Sequence, residues 1–203
     1  MGGSVCEQRA RALTTALHRE LKDGGFRKRS TWLRAHRPGE PIGLVHVLGV
    51  QLTQGSQKRD CSAVVTVGAG LVGLPGLAID LERVRVQDCL VTHRIGDQWD
   101  LDDDLDGIAS ELGDVAREWF AAREEVDAIL APFGDREPGS VRAWLGQVEP
   151  VAAASVVLGD RERAIALLEA KRGLVSGRAV ERLDELGKAL GLVERDPNDD
   201  FLA

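Results

Sequence analysis

The 203-residue sequence contains no tyrosine, only three cysteines and one methionine, and no long apolar run. A helix that spans a membrane needs about 18 or more consecutive apolar residues, so no membrane span is expected. Residues 1–19 carry charged side chains and no uninterrupted apolar stretch, which argues against a secretory signal peptide. We therefore expect a cytoplasmic protein whose Cys6, Cys61 and Cys89 are reduced and mostly buried.

Basic residues are fewer than acidic ones, and the imbalance is uneven along the chain. The net charge of −7 and the isoelectric point near 5.2 argue against nonspecific nucleic-acid binding. Residues 1–37 hold nine Lys and Arg against three Asp and Glu, whereas residues 97–137 hold three Arg against fourteen Asp and Glu. The simpler interpretation is that these two regions neutralise each other. The alternative is a local anion-binding face in the basic region.

Residues 4–25 carry the pattern of an amphipathic helix with both ends marked. Ser4 and Glu7 have the spacing of a capping box, in which each side chain binds a free backbone amide. Gly24 and Gly25 supply the left-handed residue that commonly ends a helix. The apolar positions between these signals repeat at helical spacing: Ala10, Leu13, Leu17 and Leu21.

Patterns of period two then predict an antiparallel sheet. Residues 26–36 are basic enough for a single edge strand, and residues 41–54 and 59–71 predict a hairpin joined by a turn at residues 55–58. One face of this hairpin is apolar and includes His46 and Cys61. The opposite face is half polar. This asymmetry is typical of a sheet with helices on one side.

Residues 79–95 predict a further strand with an irregularity. The apolar positions change phase near Asp88, which indicates a turn or a bulge there. After it, Cys89, Val91 and Ile95 share one parity and are predicted to face the helices. Arg94 then faces the opposite side of the sheet.

From Asp102 onward the spacing becomes helical. One broad apolar stripe runs from Leu105 through Val115 and on to Leu130, ending at Pro132. We expect an α+β fold: an N-terminal helix, an antiparallel sheet of four to five strands with helices on one face, and a C-terminal helical extension. The predicted divisions are residues 1–136 for the α+β domain, 137–193 for the extension packed on it, and 194–203 for a flexible tail.

Cys89 and His93 raise the question of a reactive or metal site. On a strand they would lie about 13 Å apart, at roughly 3.3 Å per residue, which is too far for a thiol–imidazole pair or a shared metal. A zinc site built from His46, Cys61 and Cys89 lacks the usual ligand spacing, so core packing is the better interpretation. No metal and no cofactor are expected.

The half-polar face is the better candidate for binding. Gln51, Thr66 and Arg94 point toward it, and Gly49 and Gly68 leave space beside them. Arg94 has two possible uses: it can pair with the acidic run at residues 97–104, or it can receive a carboxylate or phosphate from a partner. The alternative is an ordinary solvated face.

Short motifs in a fixed order give the chain a resemblance to a known family. They are Gly25–Phe26, Trp32, Arg34, the sequence VQL at residues 50–52, VVTVGAG at 64–70, Cys89, RIG at 94–96, and Trp99. Over residues 8 to 135 the chain resembles the bacterial family called domain of unknown function 4304. The resemblance implies a small bacterial α+β protein with no established activity, and it supplies no catalytic residues.

These observations predict a non-catalytic binding or protein-interaction module, of which an immunity-type protein is one form. The candidate binding residues are Arg94, Gln51, Thr66, Trp99 and Arg34, and the expected partner is a protein or a small anionic ligand. Neither nucleic acid nor a membrane is expected as a partner. The alternative is a small hydrolase-like enzyme that uses Cys89 and His93, and a third possibility is a scaffold held by the C-terminal helices.

Overall fold

The computed structural model describes residues 4–53, 61–102, 104–134 and 136–192, which form two compact units. The first unit takes the described residues within 1–39, 43–70 and 80–129, and the second takes those within 40–42, 71–79 and 130–203. Helices and a five-stranded antiparallel sheet make up the fold, which confirms the predicted α+β class. The turn predicted at residues 55–58 and the tail predicted at 194–203 lie outside the described residues.

The first helix, α1, spans Val5–Leu21 and confirms the sequence prediction in detail. The backbone amide of Glu7 donates to Ser4 Oγ at 3.3 Å, and the amide of Ser4 donates to Glu7 Oε2 at 3.1 Å. A short 3₁₀ turn follows α1 and ends at Gly25, whose φ of 76° is left-handed. The predicted apolar stripe is buried.

Five strands form one sheet in chain order: β1 (Arg27–Arg29), β2 (Trp32–Arg37), β3 (Gly43–Thr53), β4 (Ser62–Val72) and β5 (Val91–Asp100). The single edge strand predicted for residues 26–36 is wrong. The chain reverses at Ser30, which has a φ of 57°, so that β1 and β2 pair antiparallel as a hairpin. The basic edge strand is therefore only the three residues of β1.

One face of the sheet packs against α1 and against the second long helix, α2 (Leu105–Ala121). We call it the helix-facing side. Its buried residues come from four strands: Leu33, Ala35, Leu48, Val50, Ala63, Val65, Val67 and Ile95. His46 also lies in this layer, where its ring stacks on Phe120 with the two ring centroids 4.8 Å apart. Its Nε2 is 2.9 Å from the carbonyl oxygen of Arg123.

The opposite face, which we call the outer side, carries Val45, Val47, Gly49, Thr66 and Gly68. Strand β3 is buried continuously from residue 43 to residue 50, so this part of the outer side is not solvated. It is covered by residues 80–90, the covering segment, which contains a 3₁₀ turn at Val86–Asp88. The prediction of an open, half-polar face is therefore wrong for the centre of the sheet.

The phase change predicted near Asp88 corresponds to that 3₁₀ turn. Strand β5 begins only at Val91, and Cys89 belongs to the covering segment rather than to the strand. A Cβ placed on Gly68 would lie 2.8 Å from Cys89 Sγ, so Cys89 packs on the outer side and not toward the helices as predicted. The predicted orientation of Arg94 is confirmed, because Arg94 pairs with Thr66 and so faces away from the side of buried Ile95.

The helical region after residue 102 is divided differently from the prediction. Helix α2 ends at Ala121 and a separate helix, α3 (Val126–Gly134), follows and contains Pro132 within it. Val115 was predicted on the buried stripe but is exposed. A 3₁₀ segment at Pro138–Trp144 then leads to α4 (Val148–Val157), α5 (Arg161–Arg172) and α6 (Arg178–Ala189).

The second unit buries a charged cluster among these last three helices. Glu149 of α4 and Lys171 of α5 are 5% and 7% exposed, and Lys171 Nζ donates to Glu149 Oε1 at 2.8 Å. Arg182 of α6 donates to the other carboxylate oxygen of Glu149. Lys171 also donates to the carbonyl oxygen of Leu145 at 2.9 Å.

The expectation of three reduced thiols is wrong. Cys6 and Cys61 form a disulfide that joins the first turn of α1 to the residue before β4, with their Cα atoms 5.0 Å apart. Only Cys89 is a free thiol, and it is buried. The cytoplasmic location that was expected together with reduced thiols stays a prediction. Among the helices of the described ranges, none is both long and apolar enough to cross a membrane.

Candidate functional site

A cationic groove lies beside the β1–β2 hairpin in the first unit. It has a volume of about 580 Å³, and its basic lining residues are Arg27, Lys28, Arg29, Arg34 and His36. We call it the arginine groove. The remaining lining residues are Gly25, Val45, Leu81 and Glu82.

The hairpin register explains why the arginines converge. Arg27 of β1 lies directly opposite Arg34 of β2, and Arg29 lies opposite Trp32. Residues that face each other across an antiparallel pair have Cβ atoms roughly 4.5–5.5 Å apart and project to the same face. All three arginines therefore stand on the outer side, at the edge of the sheet that the covering segment approaches.

The covering segment holds two of these arginines in place. Arg34 Nε donates to the carbonyl oxygen of Val84 at 2.5 Å. Arg29 Nη1 donates to the carboxylate of Glu82 at 3.2 Å and to its carbonyl oxygen at 3.4 Å. Asp80 starts the turn that presents these acceptors, since its carbonyl oxygen accepts from the amides of Arg83 and Val84.

Positive charge is concentrated in this groove. Burial lowers the pKa of Arg34, and the nearby charges of Arg29 and Arg85 lower it further, while Asp80 acts in the opposite direction. Arg85 also lies over the ring of Trp32, with its guanidinium carbon 5.9 Å from the ring centroid. Within the described ranges, neither Arg27 nor Arg34 makes an ion pair with a carboxylate.

The groove also has an apolar portion. Val45 is 1% exposed and Leu81 is half-buried, and both line the cavity. Small-molecule sites commonly have volumes of about 300–1,000 Å³ and combine apolar walls with a few placed polar groups. The groove therefore has both the size and the mixed character of a site for a small anion.

The predicted binding residues are dispersed around the sheet. Arg34 lies in the arginine groove, and Thr66 and Arg94 face each other across β4 and β5, where Arg94 is exposed. Gln51 lines a smaller cavity of about 300 Å³ beside Trp32. Trp99 lies opposite Ala63, donates to the carbonyl oxygen of Ile95 at 3.0 Å, and packs on the core beneath the helices.

The sequence leaves two roles open for Arg94: pairing with the acidic run at residues 97–104, or binding a partner. Among the residues that the structure describes, it makes no ion pair with the acids that follow it. The acids of that region pair instead with α1: Arg9 contacts Asp102, and Arg19 Nη2 lies 2.8 Å from Asp106 Oδ1. The basic and acidic regions therefore do neutralise each other in part, through arginines of α1 and through Arg37 of β2, which pairs with Glu124, and not through Arg94.

The thiol–imidazole pair required by the hydrolase alternative is not formed. His93 lies opposite Val67, whose side chain belongs to the helix-facing side, whereas Cys89 Sγ lies near Gly68 on the outer side. Burial raises the pKa of Cys89 to about 12, and the charge of Asp88 adds to the rise. A thiol in this state is a poor nucleophile, because the reactive form is the thiolate.

The zinc arrangement considered for His46, Cys61 and Cys89 is also not formed. Cys61 is bonded to Cys6, and Cys89 lies on the other side of the sheet from His46. In the described part of the chain, no three His, Cys, Asp or Glu side chains are grouped so that they could hold a metal ion.

Four basic residues of the groove were not predicted from the sequence: Arg27, Lys28, Arg29 and His36. They were interpreted as the charges that protect a single edge strand. The signal that would have found them is the pattern itself. Basic residues alternate at 27 and 29 and again at 34 and 36, so a reversal between the two pairs places all four on one face.

Comparison with known proteins identifies no relative of this chain. No family, no curated protein and no solved structure matches the chain. The resemblance to domain of unknown function 4304 therefore stays a prediction, and the groove has to be interpreted from its own residues.

Proposed function

We propose that this protein is a non-catalytic binding module that takes an anionic group in the arginine groove. The observation that carries the proposal is the direct opposition of Arg27 and Arg34 across β1 and β2. Like charges placed opposite each other in a sheet destabilise it. Two arginines in that arrangement, with no carboxylate paired to either one in the described ranges, are better explained by a ligand than by folding.

The character of the whole chain strengthens this argument. With a net charge of −7, the protein has acidic residues in excess, yet Glu82 is the single acidic residue among those that line the groove. Arginine is the side chain best suited to carboxylates and phosphates, because its planar fork donates two parallel hydrogen bonds. An anionic small molecule and an acidic segment of a partner protein, as an immunity-type protein would bind, both fit this chemistry.

Calorimetric titration of the full chain with inorganic phosphate at low ionic strength tests the proposal. We expect saturable binding that weakens about tenfold or more in Arg27→Gln, since a hydrogen bond to a charged group contributes about 1.5–3 kcal/mol. The free energy of unfolding of Arg27→Gln should be nearly unchanged, because Arg27 is exposed and makes no ion pair in the described residues. A purely structural arginine would give the opposite result, with lower stability.

Two further variants locate the site. Arg19→Gln removes the same charge from α1, where the Arg19 side chain is 65% exposed. This variant should leave phosphate binding unchanged. Arg94→Gln tests the other surface on the same face of the sheet. If Arg94→Gln weakens phosphate binding while Arg27→Gln does not, the ligand binds at β4 and β5 and the groove is not the site. Absence of saturable binding contradicts the proposal outright.

A further inference from the structure

We infer that the ligand of the arginine groove is a small molecule with a doubly charged group of the phosphate monoester class attached to an apolar part. This inference rests on the proposed function and adds the charge and the shape of the ligand. Two observations carry it: the balance of fixed charges in the groove and the placement of its apolar side chains.

The fixed charges of the groove do not cancel. Arg27, Arg29 and Arg34 contribute three guanidinium groups, and Glu82 contributes one carboxylate. Lys28 also lines the groove, but its ammonium group donates to Thr15 Oγ1 on α1 at 2.7 Å and so is engaged outside the cavity. The three guanidinium groups and the one carboxylate therefore leave a net of two positive charges for a ligand. A single carboxylate neutralises one of them, whereas a phosphate monoester near pH 7.5 carries close to two negative charges.

The roles of the three arginines follow from their partners. Arg29 is already held by Glu82, and Arg34 is oriented by its Nε bond to Val84, which leaves its two Nη groups without an acceptor in the described residues. Arg27 stands directly opposite and is likewise without an acceptor there. Because Arg27 and Arg34 occupy paired positions and project to the same face, donors from both can reach the three oxygens of one phosphate group.

The apolar walls decide between a small molecule and an acidic segment of a protein. Half-buried Leu81 lines the same cavity as the arginines, with the almost fully buried Val45 beneath it, so a group bound there has an apolar surface beside its charge. A run of acidic side chains has nothing to place against these residues. A phosphate ester with an aromatic or aliphatic substituent fills both parts of the groove.

The test compares phenyl phosphate with phenyl sulfate, which has nearly the same shape and only one negative charge. Calorimetric titration of the full chain near pH 7.5 should show phenyl phosphate binding about tenfold or more tightly than phenyl sulfate, and more tightly than inorganic phosphate. In Arg27→Gln the preference for phenyl phosphate over phenyl sulfate should largely disappear. In Arg19→Gln the preference should persist.

The outcomes separate this inference from the proposed function. If phenyl sulfate and phenyl phosphate bind equally and Arg27→Gln weakens both, the groove binds anions but does not select a dianion, and the inference is wrong. If inorganic phosphate equals phenyl phosphate, the apolar part is wrong. If a hexaglutamate peptide binds and phenyl phosphate does not, the partner is an acidic protein segment. If none of the four probes binds, the proposed function itself fails.

Discussion

Removal of the Glu149 carboxylate should destabilise the second unit more than any exposed charge substitution. Glu149 and Lys171 are almost fully buried, and the carboxylate accepts from both Lys171 and Arg182. In Glu149→Ala the Lys171 ammonium group stays buried, with only the carbonyl oxygen of Leu145 as a partner. Breaking a buried ion pair from one side costs about 3–5 kcal/mol, so the free energy of unfolding should fall by about that amount.

The same cluster predicts a dependence on pH. Burial alone would raise the pKa of Glu149, but hydrogen bonds from Lys171 and Arg182 outweigh it, so the pKa is lowered overall. A lowered carboxylate pKa contributes stability that is fully present above the unfolded value of about 4.3 and is lost as the pH falls through the folded value. Below about pH 4 the parent protein should therefore lose stability more steeply than Glu149→Ala.

Urea unfolding followed by circular dichroism at pH 7 measures this effect, and a double-mutant cycle isolates it. Lys171→Met should cost a comparable amount, and the double variant Glu149→Ala/Lys171→Met should be more stable than either single variant, because it leaves no buried charge without a partner. Asp184→Ala, which breaks the exposed pair with Arg172 in the same unit, is the matched control and should cost under about 1 kcal/mol. A Glu149→Ala loss as small as that of the control would refute the reasoning.

Three further outcomes are expected. Cys89→Ser should lower the free energy of unfolding by about 1–3 kcal/mol, because a buried hydroxyl replaces the thiol, and native Cys89 should react slowly with a thiol reagent; rapid native labelling contradicts its burial. Reduction of Cys6–Cys61, which closes a separation of 55 residues, should lower thermal stability by about 2–4 kcal/mol; an unchanged thermal midpoint would mean that the bond does not contribute. Gly49→Ala should cost about 1–3 kcal/mol in a urea titration, since the new Cβ would overlap the Trp32 ring, and a neutral result would show that the ring moves freely.

The parts of the fold that were predicted correctly depend on local patterns. The capping box of Ser4 and Glu7 and the left-handed Gly25 define α1 with residues that lie within one turn of each other. The alternation along β3 and β4 predicts which residues share a face, and pairing of Arg94 with Thr66 confirms it on β5. Such signals are readable because the interactions that produce them join near neighbours in sequence.

The covering segment could not be predicted in the same way. Gly49 and Gly68 indicate that another group approaches the sheet closely at these positions. From the sequence alone, the space beside them is predicted to be room for a ligand. The structure fills it with Trp32 over Gly49 and Cys89 over Gly68. A glycine in a strand indicates that another group approaches the backbone closely. It does not distinguish a ligand from a distant part of the same chain.

The arginine groove was missed for a related reason. Arg27 and Arg34 are seven positions apart, and they meet only if the chain reverses between them. Ser30 and Thr31 lack the Asn-Gly or Asp-Gly signature of a tight hairpin, so the segment was interpreted as one strand. Because the turn between β1 and β2 was not predicted, residues that lie together in the groove were predicted to lie apart along one edge strand.

The two explanations offered for the basic N-terminal region apply to different parts of it. The arginines of α1 are engaged with the acidic region, as Arg9 with Asp102 and Arg19 with Asp106 show. Among the hairpin arginines, Arg29 pairs with Glu82 and Arg37 pairs with Glu124, whereas Arg27 and Arg34 make no ion pair in the described residues. The hairpin arginines left without an ion pair in the described residues are therefore Arg27 and Arg34, which occupy paired positions on β1 and β2. For that reason Arg27→Gln should weaken anion binding without unfolding the protein, whereas a change at Arg9 removes an internal ion pair.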